Sequence, residues 1–275
     1  KSHDLKHMET VAHCVALAIE ENRQSRKKEL NLEAVAALKS AAQLQNRQRQ
    51  FSANSALIYG KTYGFEERAE SVAGDVVECF PTEDGSAYLL VADVMGKGVA
   101  AAFLGGIFRG AWHLLAARES HPLVLLRELN RFLYDELNKQ TMFVTVALAY
   151  IDAKNKKLSV INAGHTAVYL QDKNGKLRKI EGSGAPLGLF EDNKYQVEIF
   201  DLKSFERLLM PTDGAFLWDR EIGEPSAEKM EEFMIENAGI TPEELWKKLQ
   251  ERRREAPRDL IDDMSLLLWE KNKKA

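Results

Sequence analysis

Cysteine is nearly missing from this sequence: Cys14 and Cys79 are the two, in unrelated segments, and neither belongs to a CxxC or Cys/His cluster. That excludes a disulfide scaffold and a structural zinc site, and it fits a reducing cytoplasm. Proline is scarce, with 7 in 275 residues, and from about residue 5 to 50 neither proline nor glycine occurs. A strong excess of one charge is absent too. Lys and Arg number 38 against 42 Asp and Glu, and the basic cluster Arg252 to Arg254 sits among acidic residues. There is no broad nucleic-acid footprint, so that class of partner is set aside.

A clean membrane-spanning run is lacking as well. The most apolar window, 98–117, carries Arg109 and His113 in its middle and reads as a buried helix, so no membrane contact is expected. No secretory leader is recognisable, and the opening Lys-Ser-His in place of Met points to a piece of a longer protein. A GxxxxGK[ST] loop, the mark of many nucleotide-handling enzymes, is missing. The composition is otherwise ordinary, 45% hydrophobic and 29% charged, which excludes wholesale disorder and fibrous repeats. A chain of this length holds one large domain, or one domain of about 200 residues with an appendage.

What is present has two textures. Residues 1–50 are helix formers with apolar positions at helical spacing: Val11, Cys14, Val15, Leu17 and Ala18, then, after a polar interval at 22–31, Leu32, Val35, Ala36, Leu38 and Leu44. This pattern predicts a helical regulatory linker, as two helices or one broken helix, and a homodimer through it. Residues 51–275 read as a separate domain. ALIYGKTY, SVAGDVVECF and SAYLLVADV are short β-rich runs, followed by helical stretches near 98–117 and 121–139, the second opening on His121-Pro122. FVTVALAYID and KLSVINAG flank AKNK, and AVYLQD and KLRKI flank Asn174-Gly175, giving two hairpins and, by economy, a meander. Strands near 195–201 and 206–210, helices near 226–237 and 241–254, and a last strand at 264–269 complete the order. The fold class is α+β, with helices covering sheet faces.

Chemistry concentrates in Asp75 of VAGDVV, Asp93 of LLVADVMGKGVAAAF, Asp213 of LLMPTDG, and Asp262 and Asp263 of LIDDMSLLLW. Each abuts an apolar β-like run, so each can project from a rigid strand end into a shared cleft. Carboxylates gathered there repel one another unless a cation neutralises them. Oxygen ligands without His or Cys at metal spacing favour Mg²⁺ or Mn²⁺ over Zn²⁺. Two such ions, about 3.5 to 4 Å apart, suit activation of water and clamping of a phosphoryl group. Taken singly, Asp-Gly pairs are ordinary turns. DVMGKG is more specific, because Gly96 and Gly98 allow close backbone approach and Ala100, Ala101 and Ala102 allow tight helix-to-sheet contact.

The blocks AGD, DVMGKGVAAAF, LLRELNRFLYDEL, FVTVALAYID, INAGH, GAPLGL, PTDG and DDMSLLL follow one another from about 66 to 270. In this order the chain resembles the metal-dependent protein phosphatase superfamily of type 2C, in its bacterial SpoIIE-like or RsbU-type branch. The resemblance implies an α-β-β-α sandwich with two Mn²⁺ or Mg²⁺ ions at one end of the sheets. It makes Asp93 the bridging carboxylate, Asp75 a ligand on one side, and Asp213 and Asp262 ligands on the other. The Val94 carbonyl becomes a further ligand, and Asp263 stands behind Asp262 as an alternative. Ala73 departs from the family's usual glycine, and no arginine occupies the phosphate-binding spacing of eukaryotic members. Arg68, nearby, reads as a solvated surface charge.

His165 and the run Gly184, Pro186, Gly188 read as shapers of the backbone, and Trp112, Trp218, Trp246 and Trp269 as core or groove residues. Residues 1–50 resemble the closing helix of a GAF-type sensory domain running into a signalling linker. The implied activity is hydrolysis of phosphoserine or phosphothreonine on a partner protein. In this branch that partner is typically an anti-sigma-factor antagonist (STAS) domain of a partner-switching pathway. Attack on phosphorus is direct, without a phosphoenzyme, so no Ser or Cys nucleophile is needed. The alternative is a catalytically silent module that keeps the fold to relay a signal; retention of all four aspartates favours the enzyme.

Overall fold

The computed structural model describes residues 40, 42, 43, 45, 54–69, 71–118, 121–219, 224–254, 257 and 262–272. The chain divides into two compact units, Lys1–Gln45 and Asn46–Ala275. In the first, Ser40, Ala42, Gln43 and Gln45 are helical. The apolar stripe expected to form a dimer seam lies outside the described residues.

The strands of the second unit are β1 (Ala56–Leu57), β2 (Gly60–Glu67), β3 (Val76–Pro81), β4 (Ala87–Val94), β5 (Val144–Asp152), β6 (Lys157–Ala163), β7 (Val168–Gln171), β8 (Leu177–Ile180), β9 (Glu198–Asp201), β10 (Arg207–Pro211), β11 (Leu217–Asp219), β12 (Glu224–Ser226) and β13 (Met264–Lys271). The described helices are α1 (Gly98–Ala116), α2 (Pro122–Lys139), α3 (Ala227–Glu236) and α4 (Pro242–Arg253). One antiparallel sheet runs β3-β4-β5-β6-β9 and a second runs β1-β2-β13-β10-β7-β8.

Period-two alternation stacks these parts into four layers. On β4, Tyr88, Leu90 and Ala92 face α1 and α2, while Leu89 and Val91 face the other sheet. On β13, Leu267 and Trp269 enter the space between the sheets, while Leu266 and Leu268 pack with α3 and α4. Because both faces of each sheet are covered, the central strands are apolar nearly throughout, which is why they read as continuous runs. The result is the expected α-β-β-α sandwich.

Two expectations are corrected. The meander holds for β3 to β6 and stops there, because β9 pairs with the free edge of β6 while the β7–β8 hairpin joins the second sheet. The window 98–117 is half buried: Ala101, Leu104, Phe108 and Trp112 line the core side of α1, while Val99, Phe103 and Leu114 are exposed. By length and composition alone this helix could cross a membrane; its inner stripe packs instead on the first sheet. A fully buried carboxylate, Glu78 on β3, pins it there through Arg109 and, at 2.9 Å, His113 Nε2. Burial raises the Glu78 pKa even though both partners favour the charged form.

Trp269 is fully buried between the sheets against Phe205. Trp269→Ala is expected to destabilise the domain by about 3 to 5 kcal/mol, read as a lower midpoint in urea unfolding; a loss within error of zero would contradict this packing.

Candidate active site

The strand order brings distant blocks to one end of the sandwich. Asp93 is the penultimate residue of β4, Asp75 immediately precedes β3, Asp213 opens a 3-10 turn just after β10, and Asp262 and Asp263 immediately precede β13. Antiparallel pairing forces these junctions together: β3 pairs with β4, and β10 with β13, where Pro211 faces Leu266. Each carboxylate is therefore carried by a rigid strand end, which fixes a constellation better than a free loop does.

The acids act on one another electrostatically. Asp93 is pushed up to about 7, mainly by burial, then by Asp213, Asp262 and Asp263. Asp213 is raised by burial and by Asp262. Asp75 is raised well above the carboxylate range by burial and by Asp93, although hydrogen bonds oppose the shift. Burial without a full complement of cations is costly to like charges, so this cluster is held against its own repulsion.

Three devices hold it. First, Asp75 Oδ2 accepts from Ser265 Oγ at 2.6 Å and from Thr212 Oγ1 at 3.1 Å, and Thr212 is latched to β13 by Thr212 N to Ser265 O and Ser265 N to Thr212 Oγ1, both 2.9 Å. Second, Arg253 of α4, 7% exposed, donates to the Asp262 carbonyl and reaches Glu67. Third, Lys97 Nζ lies 3.0 Å from Asp262 Oδ2. Gly214 follows Asp213 because no side chain fits: a Cβ there would lie 1.9 Å from the Asp263 carbonyl oxygen.

The other expected site residues fall as follows. The Val94 carbonyl faces Gly74, where a Cβ would stand 3.0 Å from it. Asp263 is engaged by the backbone, its two oxygens accepting the N–H groups of Ala69 at 2.9 Å and Gly74 at 3.0 Å. Arg68 is half-buried and bonds the Ser71 carbonyl at 3.1 Å. His165 is buried, its Nδ1 2.8 Å from Thr145 Oγ1, which approaches the Asp93 carbonyl at 3.5 Å. Burial lowers its pKa to about 4, so the ring is neutral at pH 7. Gly164, at φ +66°, packs on Pro186, and Gly188, at φ +90°, packs on Leu137, so INAGH and GAPLGL brace one another and α2.

Sequence reasoning missed Thr212, Ser265, Arg253, Lys97 and Asn130. Asn130 donates to the Phe190 and Glu191 carbonyls and accepts from Gly188 N, all at 3.0 Å, tying the GAPLGL segment to α2. Its signal was a polar residue on the apolar face of LLRELNRFLYDEL. Among the described residues no three acidic, His or Cys side chains close to the spacing of a coordination shell. The donor set nonetheless fits hard divalent cations: carboxylates only, at strand ends, with pKa values raised by burial and then by mutual repulsion.

A group with a raised pKa stabilises the fold below its unfolded value, and that stability is lost as pH rises through the folded value. For Asp93 the window runs from the ordinary carboxylate range up to about 7. In chelator, Asp93→Asn is therefore expected to melt above the wild type at pH 8 and close to it at pH 5. Added Mn²⁺ is expected to raise the wild-type Tm and leave the variant little changed. Parallel behaviour of the two proteins at both pH values would contradict the cluster.

Comparison with known proteins gives the family and the fold. The family profile described as Stage II sporulation protein E (SpoIIE) matches residues 83–272. Phosphoserine phosphatase RsbU of Bacillus subtilis is 27% identical over 175 residues, covering 62% of this chain and 52% of that protein, so the chain spans about half its relative's length. The structure of the SiaA-PP2C domain of Pseudomonas aeruginosa superposes with a TM-score of 0.71 at 18% identity, covering 87% of this chain and 98% of that one. RsbX in complex with magnesium superposes at 0.61 with 15% identity, covering 81% and 100%. On the family match over most of its length, and with the fold of the type 2C phosphatases, the chain belongs to the SpoIIE family.

Proposed function

We propose that this chain is a metal-dependent protein serine/threonine phosphatase that removes phosphate from a phosphoserine or phosphothreonine on a partner protein. The observation that carries the reading is the convergence of Asp75, Asp93, Asp213 and Asp262 at one sheet end, in a repulsive arrangement whose natural complement is divalent cations. The naming of RsbU as a phosphoserine phosphatase supports the substrate class. Two Mn²⁺ or Mg²⁺ ions at these carboxylates, with the Val94 carbonyl, would lower the pKa of water and neutralise phosphoryl oxygens.

The chain's own residues do the rest. Asp93, with the largest number of carboxylate neighbours acting on it, suits the bridging position. Asp262 suits a ligand better than Asp263, whose oxygens are committed to the backbone of residues 69 and 74. Thr212 and Ser265 hold Asp75, and Arg253 holds the Asp262 backbone, so the cleft keeps its shape while charge changes within it. His165, buried and neutral, positions Thr145 and the Asp93 carbonyl and takes no proton.

The partner fits a STAS-type anti-sigma-factor antagonist in a cytoplasmic partner-switching pathway, in keeping with the RsbU relationship. Regulation would enter through the N-terminal helical stretch as a homodimer. Light scattering tests this: the full chain is expected to have twice its monomer mass and a chain starting at Ser52 the monomer mass, and a monomeric full chain would contradict it.

Activity tests the main reading. Hydrolysis of a phosphoserine peptide is expected with Mn²⁺ or Mg²⁺ and to disappear after exhaustive chelation. Asp93→Asn is expected to lose at least about 100-fold in kcat, a transition-state loss of about 2.7 kcal/mol, and His165→Ala much less per folded molecule. Full turnover in chelator would overturn the assignment, as would a His165→Ala variant that is equally inactive with its Tm intact. A protein that binds Mn²⁺ and hydrolyses nothing would favour the silent relay module.

A further inference from the structure

Lys97 stands in the β4–α1 connection, in extended conformation (φ −129°, ψ 163°), between Gly96 at φ +96° and Gly98 at φ +73°. Two left-handed glycines around an extended residue set its position at the mouth of the carboxylate cluster. It is also the N-cap of α1, and no side chain caps that helix end. Its ammonium is 3.0 Å from Asp262 Oδ2, with 50% of the Lys97 side chain and 43% of the Asp262 side chain exposed. Asp262 Oδ1 accepts the Asp263 N–H at 2.9 Å. Both oxygens of this ligand candidate are thus engaged by the chain itself.

The two engagements differ in kind. The backbone contact is local and fixed, whereas an ion pair between half-exposed side chains is weak and exchangeable. Arg253, the other cation at Asp262, is buried and bound to the backbone carbonyl and to Glu67. Arg68 bonds the Ser71 carbonyl. Lys97 is the cation whose release would leave a positive charge, beside the uncapped start of α1, facing the cleft where a phosphate dianion must sit.

We propose that Lys97 is an exchangeable counter-charge: it neutralises Asp262 until a divalent cation takes that carboxylate, and then binds the phosphoryl oxygens of the substrate. The inference rests on the phosphatase reading of this site and assigns phosphate recognition to Lys97. One side chain would then couple metal loading to substrate binding, since the same ammonium competes with the first and assists the second.

The test uses the full chain, with Lys97→Met and Lys97→Arg, checked for native circular dichroism. Calorimetry measures Mn²⁺ binding to chelator-stripped protein and inorganic phosphate binding to the Mn²⁺-loaded protein, so neither readout requires turnover. Lys97→Met is expected to bind Mn²⁺ about two- to fivefold more tightly, the range of a half-exposed ion pair, and phosphate about tenfold more weakly, as for a lost hydrogen bond to a charged group. Lys97→Arg is expected to keep both constants near wild type. Unchanged or weaker Mn²⁺ binding in Lys97→Met, or unchanged phosphate binding, overturns the proposal. If Lys97→Met misfolds, Lys97→Gln is read by the same criteria. A wild type that binds both ligands and hydrolyses no phosphopeptide would sink the phosphatase reading while leaving Lys97 to be judged by the binding data.

Discussion

Repulsion among carboxylates is the constraint on which the rest of this domain turns. Asp75, Asp93, Asp213, Asp262 and Asp263 are brought to one end of two stacked sheets, and burial, then the charges of Asp213, Asp262 and Asp263, raise Asp93 to about 7. Left to themselves such groups would pull the strand ends apart. The sandwich resists because each acid is backed by a strand buried on both faces, where large side chains such as Tyr88 and Trp269 are completely enclosed. Local instability at a site supported by a rigid core is the usual physical signature of function.

The supports around the cluster divide between permanent and exchangeable. Thr212 and Ser265 tie the β10 and β13 ends together and to Asp75, with every partner buried. Arg253 brings a positive charge from behind, and its pKa is lowered by burial, a cost opposed by Glu67 and the acids it faces. Lys97 approaches from the solvent side in a pair that water can dissolve. A site built in this way keeps its geometry while its net charge changes, which is what alternate loading with cations and a phosphate dianion demands.

Much of this was legible in the sequence, for identifiable reasons. Strands buried on both faces gave unmistakable apolar runs, and the acids ending those runs were visible as AGD, DVMGKG, PTDG and DDM. The crossing from β6 to β7 was not legible, because a hairpin's sequence signals its own pairing and says nothing of which sheet receives it. The resemblance placed Asp262 ahead of Asp263 as a ligand, but the hydrogen bonds that occupy Asp263 were hidden, because they come from residues 69 and 74, some 190 positions away. Arg253 read only as one member of a basic cluster among acidic residues, and nothing in that cluster showed that this one side chain is buried. His165 read as a shaper of the backbone, and its burial adds what residue type could not show, a neutral ring.

The central claim is that these strand-end aspartates form one divalent-cation centre. Crystals soaked in Mn²⁺ and measured at the manganese absorption edge test it most directly. The account predicts two anomalous peaks within coordination distance of Asp93, one shared with Asp75 and the other with Asp213 and Asp262, and Lys97 withdrawn from Asp262. Peaks elsewhere on the molecule, or none at this sheet end at saturating Mn²⁺, would contradict it.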